Sequence, residues 1–270
     1  MKIAVTTPLL PSAADEATAR AAAARHGLPF APRGRSALED VRAAAGADGM
    51  LVLSRSASVL DLQGDEHRWS PGMAALRVKW LRRLRAGLPV PATRRDPFLA
   101  ACSLGEGDRV LDATVGLGAD ALVAAEAVGP GGRVVGLESV EALAAWVAEG
   151  LERLCDPAAR RVEVLAADHS DFLATQPDGS FDVVVFDPMF RTARPAPGGF
   201  DAVRRLADAR PLSPRAVAQA RRVAWRWVVV KDGAPGWDLA RLGLTPLASA
   251  RGAHRYYARV AASPPAPHGG

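Results

Sequence analysis

The chain has 270 residues, 49% of them apolar and 23% charged, with a formal net charge of +5. This is enough apolar material for one large domain or for a core domain with a small appendage, and it excludes an intrinsically disordered chain. The two cysteines, Cys102 and Cys155, stand in no Cys-x-x-Cys pair and at no metal-ligand spacing with histidine, which points to two buried thiols rather than a disulfide framework or a metal site; no apolar run reaches the roughly 20 residues that cross a bilayer.

The opening stretch MKIAVTTPLLPSAADE lacks the charged start, long apolar centre and cleavage site of a secretory signal, so a cytoplasmic protein is expected. KIAVTT predicts a short strand, followed by an Ala-rich helix from about Asp15 to His26 with Ser12 and Asp15 as candidate caps. GLPFAPRGR reads as a loop, SALEDVRAAAG as a helix and DGMLVLSRSASVLDL as one or two strands. Residues 1–66 are therefore expected to form a small α/β domain, and they carry no recognisable chemical motif. Residues 67–98 read as a basic helix and linker. PGMAALRVKWLRRLRA opens with proline at a helix start and aligns Met73, Leu76, Trp80 and Leu84 on one face, expected to pack on the core. Arg77, Lys79, Arg82, Arg83 and Arg85 occupy the rest of that helix, and Arg77 and Lys79 are candidates for phosphate contact. GLPVPATRRDP is a loop into the next domain.

Residues 99–262 alternate strand and helix: RVLDAT, a helix through about Ala127, RVVGLE, a helix through about Leu154, RVEVLAAD, a short helix, FDVVVFDP, basic helical segments and WRWVVVKDG. That order predicts an α/β fold, a Rossmann-like, doubly wound, mostly parallel sheet with the small N-terminal α/β appendage. TPLASA and HRYYARVAA are expected to pair as a closing hairpin before a flexible tail at 263–270.

In such a sheet, ligands bind beyond the carboxyl ends of the strands where the winding reverses. Four acids fall at successive strand ends: Asp112, Glu138, Asp168 and Asp187. After Asp112 come Thr114, Gly116 and Gly118 in a turn that opens an Ala-rich helix, so backbone can approach a ligand at the helix N-terminus. Glu138 lies 20 residues beyond Gly118, where a carboxylate can accept from both hydroxyls of a ribose, with Ser139 next to it; Asp168 can accept from an adenine amino group, with His169 beside the same pocket. A nicotinamide or flavin dinucleotide is disfavoured, because VGLGADA lacks the third glycine of the dinucleotide fingerprint and Asp112 would repel a pyrophosphate. A P-loop is excluded by the absence of Gly-Lys-Ser/Thr. S-adenosylmethionine, which has no phosphate and carries an ammonium and a sulfonium, suits the acidic loop. At the end of the fourth strand, Asp187-Pro188-Met189-Phe190 combines a carboxylate, a rigid proline and an aromatic ring, a set that can hold a planar amino group by hydrogen bonding and stacking. Lys231, one of three lysines, ends the strand VVVK near the same mouth, where it can touch phosphate or base or pair with Asp232.

These residues resemble the class I S-adenosylmethionine-dependent methyltransferases. More narrowly, D-A-T-x-G-L-G-x-D-A, the D-P-M-F tetrad and the later V-V-V-K strand resemble the RsmJ-type small-subunit ribosomal RNA guanine N2-methyltransferase family and its uncharacterised bacterial relatives, over about residues 67–260. In that family the tetrad's aromatic is usually followed by proline; here Arg191 follows Phe190. The resemblance implies cofactor contacts by Asp112, Gly116, Gly118, Glu138 and Asp168, with Asp187 and Phe190 at the target. The net charges of residues 1–66, 67–98, 99–190 and 191–270 are −1, +7, −11 and +10, so basic blocks flank the acidic one that holds the motifs. That segregation suits a polyanion such as ribosomal RNA or a ribosomal particle, with Arg191 and Arg194 facing it. Another base, a protein amide or a small amine as acceptor, or a noncatalytic RNA-binding protein that retains the cofactor pocket, are the alternatives. No metal is needed for the displacement.

Overall fold

Strands buried on both faces read as continuous apolar runs, and those covered on one face alternate; the computed structural model of the chain places ten strands, among its described residues, in one sheet of four and one of six. The structure describes residues 1–90, 96–188, 206, 208, 210–248 and 255–263. These divide into two units, one holding Met1–Ser70, Val140–Cys155 and Leu206, the other Pro71–Ser139 and the described residues of 156–194 and 208–270. No helix among them is long and apolar enough to cross a membrane.

In the first unit, β1 (Ile3–Thr6) pairs parallel with β2 (Gly49–Leu53), and β3 (Ser58–Leu62) and β4 (Asp65–Arg68) continue antiparallel in the order β1-β2-β3-β4. Helix α1 (Ala13–Arg25) begins where a reciprocal capping box forms: Asp15 N–H donates to Ser12 Oγ at 3.2 Å while Ser12 N–H donates to Asp15 Oδ2 at 3.1 Å. Helix α2 is Leu38–Ala44. The sequence reading anticipated the strands through β3 but stopped one strand short, since β4 (DEHR) has only one buried residue to mark it.

Helices α3 (Ala74–Arg85), α4 (Pro97–Cys102) and α5 (Ala119–Val128) belong to the second unit. Helix α6 (Glu141–Glu152), which follows the second strand of the larger sheet, lies with the first. There Trp146 is fully buried and donates Nε1–H to Ser58 O at 3.3 Å, and Glu149 accepts from Arg25, His26 and Arg153. Gly150 is required at that contact, because a Cβ there would stand 2.1 Å from the Trp69 ring.

The larger sheet runs β10-β9-β8-β5-β6-β7, with β5 (Arg109–Asp112), β6 (Arg133–Glu138), β7 (Val162–Ala166), β8 (Phe181–Phe186) and β9 (Ala224–Gly233) parallel. Winding proceeds from β5 outward through β6 to β7 and then restarts at β8 on the other side of β5, so the switch point lies between β5 and β8. The last strand, β10 (Arg255–Ala261), pairs antiparallel with β9. β10 completes the ladder of β9, which otherwise would end the sheet with unpaired groups; of the segment expected to pair with it, Leu247 N–H donates to Tyr257 O at 2.7 Å, and residues 249 and 250 lie outside the described residues. Helices α7 (His169–Thr175), α8 (Pro214–Val223) and α9 (Trp237–Arg241) supply Leu173, Ala216, Val217, Ala220, Val223 and Leu239 to a core with Leu111, Val184, Phe186, Val228 and Val230 of the strands. Ser213 caps α8, with Pro214 at its first position.

On helix α3 the residues packed inward are not the expected ones, although Trp80 is partly buried and Lys79, Arg82 and Arg85 are exposed as a solvated basic side requires. Ala74 and Val78 are buried, whereas Met73 is 60% and Leu84 51% exposed. The reason is α5, an apolar helix that carries Asp120 and Glu126 at buried positions. Those carboxylates need cations, and the arginines of α3 supply them. Arg82 donates to Glu126 Oε2 through Nε at 3.0 Å and Nη2 at 2.7 Å and also pairs with Asp156 at 2.7 Å. Arg85 donates to the carbonyls of Glu126, at 2.6 Å, and Ala127, where the α5 dipole is negative. Of the thiols, Cys102 is buried and Cys155 is exposed at the end of α6's connection, which corrects the expectation of two buried thiols.

Candidate active site

The loop that leaves β5 is clamped between its two neighbouring strands. Ala113 N–H donates to Val185 O of β8 at 2.8 Å, and Val115 N–H donates to Leu137 O of β6 at 2.9 Å. Gly136 makes the second contact possible, since a Cβ on β6 there would sit 2.6 Å from the Val115 side chain. Gly116 and Gly118 take φ of +52° and +77°, left-handed values that favour glycine, and Gly118 leads directly into α5.

This loop brings the two sequence motifs together. Thr114 N–H donates to Asp112 Oδ1 at 3.3 Å, and Asp187 N–H donates to Thr114 Oγ1 at 2.6 Å. The Thr114 hydroxyl, expected at the cofactor, thus also ties the end of β8 to the glycine loop. Asp112 is buried. Burial, with Asp120 and Asp187 adding negative charge, pushes its carboxyl up to about 8, against the opposing effects of the Thr114 N–H and Lys231.

A row of alternating charges runs from this point into the protein. Lys231 Nζ, two residues before the end of β9, donates to Asp120 Oδ2 at 2.9 Å and to Asp187 Oδ2. Arg77 donates to the other oxygen of Asp120 and holds Asp96 through two hydrogen bonds of 2.6 and 3.1 Å. Asp96 in turn caps α4, accepting from Phe98 N–H at 3.0 Å. Burial alone would raise the Asp120 carboxyl, but Lys231 and Arg77 hold it well below the usual carboxylate range; burial would lower the Lys231 ammonium, but Asp120 and Asp187 hold it above its ordinary value. Tyr257, opposite Lys231 in the β9–β10 register, is pushed up by burial.

Two sequence expectations are corrected here. Arg77 is not available to phosphate, because its guanidinium neutralises Asp96 and Asp120. Lys231 is buried between Asp120 and Asp187 rather than paired with Asp232, which instead accepts from Asp238 and Leu239 N–H at 2.8 and 3.1 Å at the start of α9. Lys79 stays exposed. Glu138 is buried at the end of β6 and Ser139 beside it is exposed. Asp168 caps α7, accepting from Ser170 N–H at 2.7 Å, and its second oxygen accepts from Arg210 at 2.6 Å, so the helix-capping role takes the place of a carboxylate directed wholly at a ligand. These contacts, over the opposing effect of burial, hold it below its ordinary value. His169 stands edge-on to Phe186 with ring centroids 5.6 Å apart, and burial lowers its imidazolium. Pro188 follows Asp187 at the end of β8; Phe190, Arg191 and Arg194 lie outside the described residues. The sequence reading gave no role to Asp120, which stands in the motif that carries the resemblance, nor to Asp96 or Tyr257. Asp120 did leave a signal, as a charge at the second position of an otherwise apolar helix start.

A glycine loop and a carboxylate-bearing strand end, side by side at the switch point of a Rossmann-like sheet, define the class, and the chain belongs to it: the family described as "Putative SAM-dependent methyltransferase" matches residues 70–235. The protein is a methyltransferase that uses S-adenosylmethionine. Among its relatives, "Uncharacterized protein YpiP" of Bacillus subtilis (strain 168) is 33% identical over 235 residues, 84% of this chain and 88% of that protein. The ribosomal RNA small subunit methyltransferase J of Laribacter hongkongensis is 39% identical over 135 residues, 46% of each chain. The fold is shared with the SAM-dependent methyltransferase NGO1261 from Neisseria gonorrhoeae, at a TM-score of 0.56 and 19% identity over 95% of this chain and 96% of that one.

Proposed function

We propose that the protein transfers a methyl group from S-adenosylmethionine to an exocyclic amine of RNA, with guanine N2 of ribosomal RNA as the target. The observation that carries this reading is the juxtaposition, through Thr114, of the buried acid Asp112 with the Asp187 carboxylate at the strand end next door. The donor set suits a cationic, phosphate-free cofactor. Asp112 would hold the ammonium, and Gly116 and Gly118 would let backbone approach. Glu138, with Ser139 beside it, would accept from the ribose hydroxyls. Because Asp168 already caps α7 and pairs with Arg210, His169 is the better candidate to border the adenine. The bound cofactor supplies an electrophilic methyl on a sulfonium.

The protein's own task is then to position a poor nucleophile, since an exocyclic base amine has its lone pair delocalised into the ring. A hydrogen bond from that amine to Asp187, a second to the Pro188 carbonyl and stacking on Phe190 would draw the lone pair out of conjugation and hold it in line. The RNA acceptor is supported by the relationship to ribosomal RNA small subunit methyltransferase J and by the segregated basic blocks of the sequence, from which Lys79 and Arg83 of α3 remain without an acidic partner in the α5 contact.

Transfer of labelled methyl to RNA from a strain lacking the protein, followed by nucleoside analysis, tests this. Wild type should yield labelled N2-methylguanine and Asp187→Ala about 100-fold less, the scale of losing one preorganised polar group. Label in another nucleoside keeps the mechanism and overturns the target. Label resistant to nuclease, in protein or in small amines, overturns the RNA reading.

A further inference from the structure

We propose that Lys231 is a positioning residue for methyl transfer: bridging Asp120 and Asp187, it fixes the Asp187 carboxylate at the mouth of β8 as an acceptor for the target amine. The inference rests on the reading of Asp187 as the group that receives that amine. In the β8–β9 register Phe186 lies opposite Val230, so Asp187, just past the end of β8, stands beside Lys231 of β9. The lysine side chain is 9% exposed and that of Asp187 28%, so the row of charges begins inside and ends at the surface. Asp120 cannot turn away from Lys231 without leaving Arg77, which is itself held by Asp96. Lys231 cannot reach out to a phosphate without abandoning both carboxylates, which would leave buried Asp120 with Arg77 alone and part-exposed Asp187 without this cation.

Among the described residues, the titratable groups facing Asp187 are Lys231 of β9, Asp120 of α5 with Arg77 of α3 behind it, Asp112 of β5 and Tyr257 of β10. Three carboxyls of the described residues therefore share this space, and Lys231 touches two of them. Asp112 already holds a proton at neutral pH in the free protein, so loss of Lys231 acts on Asp187, which without that cation takes up a proton more readily. A protonated Asp187 would present an O–H donor to an amine that needs an acceptor. In the transfer itself, the target nitrogen forms the N–CH3 bond as the S–CH3 bond breaks and its electron pair remains on sulfur. The proton released from the methylated nitrogen passes to the Asp187 carboxylate and from there to water.

The test compares wild type, Lys231→Met and Lys231→Arg for kcat, acceptor KM and the salt dependence of that KM, from pH 6 to 9. Lys231→Met should lower kcat at pH 7 by about 10-fold or more, with partial recovery toward pH 9, while KM and its salt slope stay unchanged; Lys231→Arg should restore most of kcat. Unchanged kcat, or a loss confined to KM with the salt slope reduced by about 1, overturns the proposal, the latter being the mark of a phosphate contact. Should Lys231→Met fail to fold, Lys231→Met/Asp120→Asn removes the cation together with its buried counter-charge; wild-type kcat in that variant also overturns it. Titration of the Asp187 carboxyl by 13C NMR, assigned from its loss in Asp187→Asn, needs no acceptor. A midpoint at least about one pH unit higher in Lys231→Met supports the positioning role, and an unmoved midpoint refutes it. A shifted midpoint in a protein that methylates no RNA strikes the RNA reading alone.

Discussion

Asp112 makes cofactor affinity a function of pH. Its carboxyl, raised to about 8 by burial and by Asp120 and Asp187, is largely protonated at neutral pH in the free protein. An ammonium placed against it favours the ionised form, so binding expels a proton and tightens as pH rises. If the bound carboxyl titrates below pH 6, affinity gains roughly 50-fold between pH 6 and pH 8 from this group alone. The ligand's own α-amino group, titrating near 7.8, loses its charge over the same interval and loosens binding about 2.5-fold, leaving a net gain of about 20-fold, or about 1.8 kcal/mol. Isothermal titration calorimetry with S-adenosylmethionine, in two buffers of different ionisation enthalpy, reads both the affinity and the protons released. Asp112→Asn supplies the control: it keeps an oxygen for the Thr114 N–H but cannot titrate, so its affinity should weaken about 2.5-fold over the range in which wild type tightens. A wild-type affinity that is flat or falling from pH 6 to pH 8 refutes the placement of the ammonium against Asp112. The same shift has a cost in the free protein. Because the folded carboxyl sits above its unfolded value of 3.8, stability falls as pH rises from about 4 to about 8, and Asp112→Asn should be the more stable protein at pH 8 by a few kcal/mol, read from urea unfolding without cofactor.

Arg77→Met should destabilise the protein by about 3 kcal/mol in urea unfolding, since it takes the cation from Asp96 and leaves buried Asp120 with Lys231 alone, yet leave the salt slope of RNA binding unchanged; a reduced slope would show that Arg77 reaches phosphate after all. Gly136→Ala pushes a methyl to within 2.6 Å of Val115 and must shift the glycine loop, so cofactor affinity should fall about 10-fold or more, measured by calorimetry, with a stability loss of about 1–3 kcal/mol.

The fold was legible because its signal is local. Runs such as FDVVVF and RVVGLE have no polar face, and their alternation with Ala-rich helices leaves a parallel, doubly wound sheet as the solution. That pattern put Asp112 and Asp187 at strand carboxyl ends; the strand order that sets the ends of β5 and β8 side by side at the switch point is seen only in the structure. What the sequence did not show was which charges neutralise one another. On α3 the arginines looked like a solvated basic stripe and Met73, Leu76, Trp80 and Leu84 like a buried one. Helical periodicity gives the angle between two faces but not which of them looks inward when the facing helix carries its own buried acids. Asp120 and Glu126 settle that on α5, more than 40 residues away from the arginines they hold.

The same blindness to distant partners governed Lys231 and Asp168. Each stands at a strand end where a ligand was anticipated, and in each the protein supplies a partner first, Asp120 and Asp187 for one and Arg210 with the α7 amides for the other. The two cases differ in burial, and the difference decides their consequences. Arg210 is exposed, so its pairing with Asp168 is weak and exchangeable with solvent or ligand. Lys231 is enclosed, so its pairing can be lost only at the expense of two carboxylates, and the charge arrangement at Asp187 is set by the folded chain before any acceptor arrives. A site built this way orients its nucleophile with groups that need not reorganise during the reaction, which is the property that electrostatic preorganisation requires.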